Sequence, residues 1–222
     1  MGRNEKHRQR AAERHRKRRE RKGHSAVVDT LRSLQRKQLL IYNARQLPIH
    51  ECLVNPSWET FGLANLLIAR RMPDDRLVLG QYLVDLYCLG LKNTCCSAYC
   101  PMSVYETKVK PGAFISEKPI QCSRLLFHQI IYGAIEYAGR IGFSPHENFE
   151  LSQYILDPPE TIPPNPELVF GFDGKPCYVS GPYDDVWVII RTLDERVGRG
   201  NYHYIIGGQV GGDLSSPRRP CK

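Results

Sequence analysis

Four side chains in the first half of the chain are of types that support hydrolytic chemistry: His50, Glu51, Asp85 and Lys92. Two carboxylates and an imidazole can share a divalent metal, and a lysine beside them can stabilise a phosphoryl oxyanion. The set reads as a metal-dependent hydrolase or nuclease centre, with Asp85, Glu51 and His50 as metal ligands and Lys92 for charge. None of the four belongs to an ExK motif, so the spacing matches metal-dependent nucleases in outline only. The competing reading is structural: Asp85 caps a backbone turn or pairs with an arginine such as Arg70 or Arg140. Structural ion pairs perturb buried acids as well.

Positioning these groups falls to residues 77–93, LVLGQYLVDLYCLGLKN, an apolar run that suits a central strand covered on both sides. Side chains alternate along a strand, so Leu79, Gln81, Leu83, Asp85 and Tyr87 share one face and Val78, Tyr82, Val84, Leu86 and Cys88 the other. Neither face is polar, which predicts a buried Asp85. Such a carboxylate must be hydrogen-bonded, paired or protonated. Upstream, 63–72 reads as a second strand, and Pro73-Asp74-Asp75-Arg76 as a four-residue turn setting Met72 opposite Leu77 and Ala64 opposite Asp85. A strand over 49–55 brings His50 and Glu51 into the same sheet. They reach Asp85 if that strand pairs at the hairpin's open end.

The rest of the chain alternates helices with turn-rich segments. A helix over 25–46 is capped by Ser25, and 92–119, with Cys95, Cys96, Cys100 and Pro111, reads as a long loop containing a short helical piece. A strong apolar period predicts a helix over 121–141, a shorter one follows over 144–156, and 157–166 is a proline-rich linker. Strands at 168–172 and 176–180 flank Asp173-Gly174, a type I′ turn signal, ahead of a helix over 186–197 and a strand over 201–206. The class is α+β: antiparallel hairpin-based sheets packed against several helices. The expected divisions are a basic arm (1–24), an α+β domain (25–156), a ββαβ part of the same or a second small domain (157–207) and a tail (208–222).

Other candidates have simpler structural readings. Asp184 and Asp185 precede a helix, where carboxylates satisfy free N–H groups; a metal is the alternative, and an anion would be repelled. Cysteines 88, 95, 96 and 100 lack zinc-finger or ribbon spacing, so small buried or loop thiols stand against a site completed by Cys122 or His128. His128 shares a helix face with Glu136 among apolar neighbours and reads as a hydrogen-bonded core residue. Walker A, GxSxG, GxGxxG and HExxH patterns are absent from the sequence.

Charge is partitioned sharply. Residues 1–24 hold eleven Lys or Arg against three Glu, which accounts for the whole net charge of +8; the other residues balance. Arg14, Arg16, Lys17, Arg18, Arg19, Arg21 and Lys22 form the densest run, a nucleic-acid-binding arm whose guanidinium groups attract phosphate, of RNA more than DNA. The plain alternative is a solvated tail. No apolar signal-peptide core follows the arm, which predicts a cytoplasmic protein with free thiols, and no run is long enough to span a membrane, so no membrane partner is expected.

The strings VDLYCLGLKN (84–93), GPYDD (181–185) and NYHYIIG (201–207) resemble uncharacterised bacterial proteins, over most of 45–207. That resemblance carries no residue roles. The leading expectation is an RNA-binding protein using the arm on a neutral body. The alternatives are the metal-dependent hydrolase with Glu51 and Asp85, its cofactor a divalent metal, and a protein–protein adaptor.

Overall fold

The structure, a computed structural model, describes residues 28–207 and 209–211. The chain divides into two units, 1–40 and 41–222. The first is represented by helix α1 (28–42), which enters the second at Ile41. Pro48 closes the turn that follows, and the second unit begins its sheet with β1 (Ile49–Val54).

The second unit is α+β. Its main sheet has five antiparallel strands in the order β4-β3-β2-β1-β5, where β2 is Leu63–Arg71, β3 Arg76–Asp85, β4 Gly90–Pro101 and β5 Ile120–Gln121. A short helix, α2 (Trp58–Phe61), links β1 to β2. The β2–β3 hairpin sets Arg71 opposite Leu77 and Leu63 opposite Asp85, one residue from the expected register. The reason is the turn: Met72 N–H donates to the Arg76 carbonyl (2.8 Å), so only Pro73, Asp74 and Asp75 lie in the loop, and Asp75 has φ 62°. A three-residue loop with a left-handed third residue is a common hairpin closure.

Residues 77–93 are not one strand. The chain turns at 86–89, Gly90 enters β4 with φ 66°, and β4 then runs where a loop was expected. Two bulges against β3, between Leu77 and Leu79 and between Leu83 and Val84, break its alternation and conceal the strand. After β4, α3 (Met102–Val104), a π-helical turn (Tyr105–Val109) and α4 (Lys110–Ala113) run on as one helical stretch.

Both faces of the sheet are covered. Helix α5 (Arg124–Arg140), capped by Ser123 Oγ accepting from Leu126 N–H (3.1 Å), lays Phe127, Ile130, Ile131 and Ala134 on one face. Tyr82 meets Phe127 edge-on at 6.1 Å and lies back over Gly80, where a Cβ would come within 2.6 Å of its hydroxyl. Its O–H donates to the Ser152 carbonyl (2.9 Å). On the other face Leu53, Leu67, Ala69, Leu77 and Leu79 pack with Tyr105 and Phe114 of the 102–114 stretch.

The C-terminal part departs from the expected ββαβ. After α6 (Phe149–Ser152) the chain passes through short 3-10 turns, and no strand forms at 168–172. The predicted turn itself forms: Asp173 (φ 50°) and Gly174 (φ 75°) are bracketed by the single bridge between Phe172 and Lys175. β6 (Cys177–Val179) pairs in parallel with β7 (His203–Ile206) across α7 (Val186–Arg196), and β8 (Gln209–Gly211) adds antiparallel to β7. This small sheet docks on the 86–89 turn. Buried Cys88 packs with Tyr178, Ile190, Leu193 and Tyr204, and Cys177 N–H donates to the Tyr87 carbonyl (3.0 Å).

Candidate functional site

Asp85 closes the β3–β4 turn. One carboxylate oxygen accepts from the N–H groups of Tyr87 (2.9 Å) and Cys88 (3.1 Å), the other from that of Leu89 (3.1 Å). The side chain is buried, and burial raises its pKa above the ordinary 3.8 against the pull of those N–H groups and of Lys92. It is a turn cap, as the structural reading held. Arg70 and Arg140 pair with Asp157 and Glu136 instead.

Glu51 lies elsewhere. It stands opposite Ala69, which stands opposite Leu79, six residues before Asp85 and so about 20 Å away along β3. The expected centre of Asp85, Glu51, His50 and Lys92 is therefore not assembled. β1 enters the sheet at the turn end of the β2–β3 hairpin, whereas Asp85 marks the open end. Lys92 pairs with Asp184 (2.9 Å), whose carboxylate also accepts from Gly181 N–H (2.8 Å) and the Tyr178 hydroxyl (3.2 Å). Burial opposes ionisation of Asp184, yet Lys92 and these donors hold its pKa below 3.8. Asp185 accepts from Val188 N–H (3.2 Å) and caps α7. The two aspartates thus serve separate structural contacts.

His50 and Glu51 do come together, by a device the sequence does not announce. Neighbours on a strand point to opposite faces, but a register shift between Ile49 and Glu51 makes His50 a bulge. The π turn then supplies the rest of the cluster, since its i to i+5 spacing carries Lys110 back over Tyr105. The Glu51 carboxylate accepts from the Tyr105 hydroxyl and from Lys110 Nζ (2.9 and 3.1 Å), and Lys110 lies 3.8 Å from Glu106. One ligand atom each of His50, Glu51 and Glu106 falls within 4.8 Å of the others. Burial, then the bond to Glu51, raises the Tyr105 pKa, so its phenol stays protonated and donates. Chemically this is a hard-ligand cluster with an ammonium beside it, and a divalent metal would take one donor from each residue.

A polar hub that the sequence reading passed over lies at Asp157, inside the supposed linker. Its carboxylate takes Arg70 (2.8 Å) and Arg124, and its N–H donates to His128 Nε2 (2.9 Å). His128 Nδ1–H donates to the Arg124 carbonyl (2.6 Å), which fixes a neutral imidazole, and burial keeps its pKa below 6.5. Arg70, itself buried, also bonds the Ile155 and Leu47 carbonyls (2.6 and 2.8 Å). The hub ties the sheet, α5 and the 153–157 turn together. No buried side-chain polar atom in it is left unsatisfied.

Cysteines 88, 95, 96 and 100 do not gather a metal set with Cys122 or His128; among the described residues only His50, Glu51 and Glu106 meet that geometry. The seven described cysteines are free. Burial pushes Cys52 up to about 12 and Cys122 up to about 11, which leaves both as inert thiols at neutral pH. Two clefts flank the 162–173 segment: one of about 680 Å³ beside Tyr132, Tyr137 and Phe170, the other of about 670 Å³ beside Leu125, Val169 and Phe172. The basic run Arg14, Arg16, Lys17, Arg18, Arg19, Arg21 and Lys22 lies outside the described residues. No helix among the described residues is long and apolar enough to cross a membrane. Comparison with family models, curated proteins and solved structures yields no match.

Proposed function

We propose that the chain binds nucleic acid, RNA in preference to DNA, through residues 1–24, with residues 25–222 as an electrically neutral body. The observation that supports this is the charge partition: eleven cations against three carboxylates in the first 24 residues, and balance over the remainder. Several of the body's cations are also paired internally. Arg70 and Arg124 meet Asp157, Lys92 meets Asp184, Lys110 meets Glu51, and Arg140 meets Glu136. Phosphate approaching these groups finds them already paired, whereas the first 24 residues hold a clear excess of cations over carboxylates. Arginine outnumbers lysine eight to three there, and guanidinium planes both fork onto phosphate and stack on unpaired bases, which favours RNA.

The test compares full-length protein with residues 25–222 by fluorescence anisotropy on single-stranded RNA and duplex DNA over a salt series. Full-length protein should bind RNA more tightly, with a slope of about −4 in log K against log salt if about six phosphates are neutralised. The truncated chain should not bind. Undiminished affinity in that chain refutes the proposal.

A metal-dependent hydrolase is a second reading, favoured by the convergence of His50, Glu51 and Glu106. In it Glu106 replaces Asp85 as a ligand, and Lys110 replaces Lys92 as the charge-stabilising cation. Calorimetric titration with Mn²⁺ should report one site that is lost in Glu51→Gln. Absence of uptake by the wild-type chain ends this reading.

A further inference from the structure

Most of the body's buried or half-buried carboxylates have a cation beside them, but three exposed ones around a single cleft do not. Glu59 on α2, with Glu167 and Asp173 on the segment that crosses α5, line the 670 Å³ cleft, and no Lys, Arg or His lines it. Among the described residues none of the three makes an ion pair, so they leave a local charge of −3. The same cleft collects exposed apolar side chains: Leu125 (44 %), Val169 (69 %) and Phe172 (48 %). Single exposed apolar residues are ordinary, but three converging in one concavity mark a binding surface. The wall behind them is fixed. Tyr87 packs on Phe172 with centroids 5.9 Å apart, and its ring lies against Gly62, where a Cβ would come within 2.4 Å of it.

We infer that this cleft docks a basic peptide segment of a protein partner, one that alternates Lys or Arg with apolar residues. The apolar side chains seat on Leu125, Val169 and Phe172, and the cations face Glu59, Glu167 and Asp173. Charge complementarity selects this occupant: an acidic or neutral peptide leaves three carboxylates facing no partner, and nucleic acid is repelled by them. A lone small cation is a poorer match, because the acids sit on separate elements and one charge cannot serve all three. The inference stands apart from the RNA reading, since none of these residues lies in 1–24.

The test is anisotropy of a fluorescein-labelled lysine–leucine peptide against the full-length chain, beside the same peptide with glutamate in place of lysine and an oligolysine of equal charge. Saturable binding of the lysine–leucine peptide, weakened tenfold or more in Glu59→Gln/Glu167→Gln/Asp173→Asn and in Val169→Ser while any uptake of the glutamate peptide by the cationic first 24 residues is the same in all three chains, is the expected result. These positions are exposed, and an unchanged thermal unfolding transition verifies that each variant keeps its fold. Equal affinity in the triple variant overturns the inference. So does oligolysine binding as tightly as the lysine–leucine peptide, or displacement of the peptide by tetramethylammonium, which would make this a small-cation site.

Discussion

At the scale of single residues, the buried polar groups of this protein hold backbone in place. Asn at position 85 keeps one acceptor oxygen for Tyr87 and Cys88 but turns an amide NH₂ toward Leu89 N–H, leaving a buried donor unmatched. Asp85→Asn should therefore lower the unfolding free energy by roughly 1–3 kcal/mol, read from the urea midpoint. An unchanged midpoint would mean that the cap contributes nothing. His128 makes a pH prediction. Its folded pKa lies below 6.5, so as pH falls past 6.5 the unfolded chain takes up a proton that the folded chain refuses. The His128 contribution is complete above 6.5 and is lost as pH drops toward the folded value, at up to about 1.4 kcal/mol per pH unit. Asp157 follows lower down: burial opposes its ionisation, but Arg70 and Arg124 hold it below 3.8, so its contribution is lost only as pH falls below that value. His128→Gln keeps an acceptor for Asp157 N–H and cannot titrate; urea unfolding at pH 7.5 and 5 should show a smaller loss in this variant than in wild type. Equal losses would assign the slope to other histidines. Burial of Asp85 is legible from the apolar residues around it, and a turn cap was one of its two structural readings. The Asp157 hub is not, because Arg70 is 87 positions away and a proline-rich context reads as linker.

At the scale of elements, regular alternation was legible and its interruptions were not. β1, β2 and β3 follow from apolar runs and turn residues, and α5 from its apolar period. β4 is hidden by two bulges, and the place and extent of the 102–113 helical stretch by a π turn, since each shifts the phase on which periodicity arguments depend. The same interruptions bring His50, Glu51 and Glu106 together. The site with the most metal-ligating chemistry thus sits where the pattern breaks. The junction between β4 and α5 offers a test of how tightly these elements are fitted. Gly90 is left-handed, and a Cβ on it would lie 2.6 Å from Ala138 Cβ and 2.8 Å from the Ala134 carbonyl oxygen. Gly90→Ala must bear both the φ penalty and the overlap, and should destabilise by about 2–5 kcal/mol in chemical denaturation. A loss below about 1 kcal/mol would mean that β4 can move off α5 freely.

At the scale of the whole molecule, the division of charge governs behaviour that no single contact does. An excess of +8 confined to 24 residues produces a steep local field, while the remainder carries equal numbers of each sign. Heparin presents closely spaced anions without base edges, so retention on it measures this field apart from any RNA preference. Full-length protein should be held at pH 7.5 and released only by added salt, whereas residues 25–222 should pass through near the void. The truncated chain, near zero net charge, should also be less soluble at that pH than the full chain. The control is charge reversal of paired cations on the body: Arg140→Glu and Arg199→Glu, exposed partners of Glu136 and Asp194, should leave full-length retention almost unchanged. If residues 25–222 elute with the full chain, or the two reversals release it early, a cationic surface exists on the body that pairing has not neutralised. The first 24 residues would then not be the seat of polyanion binding.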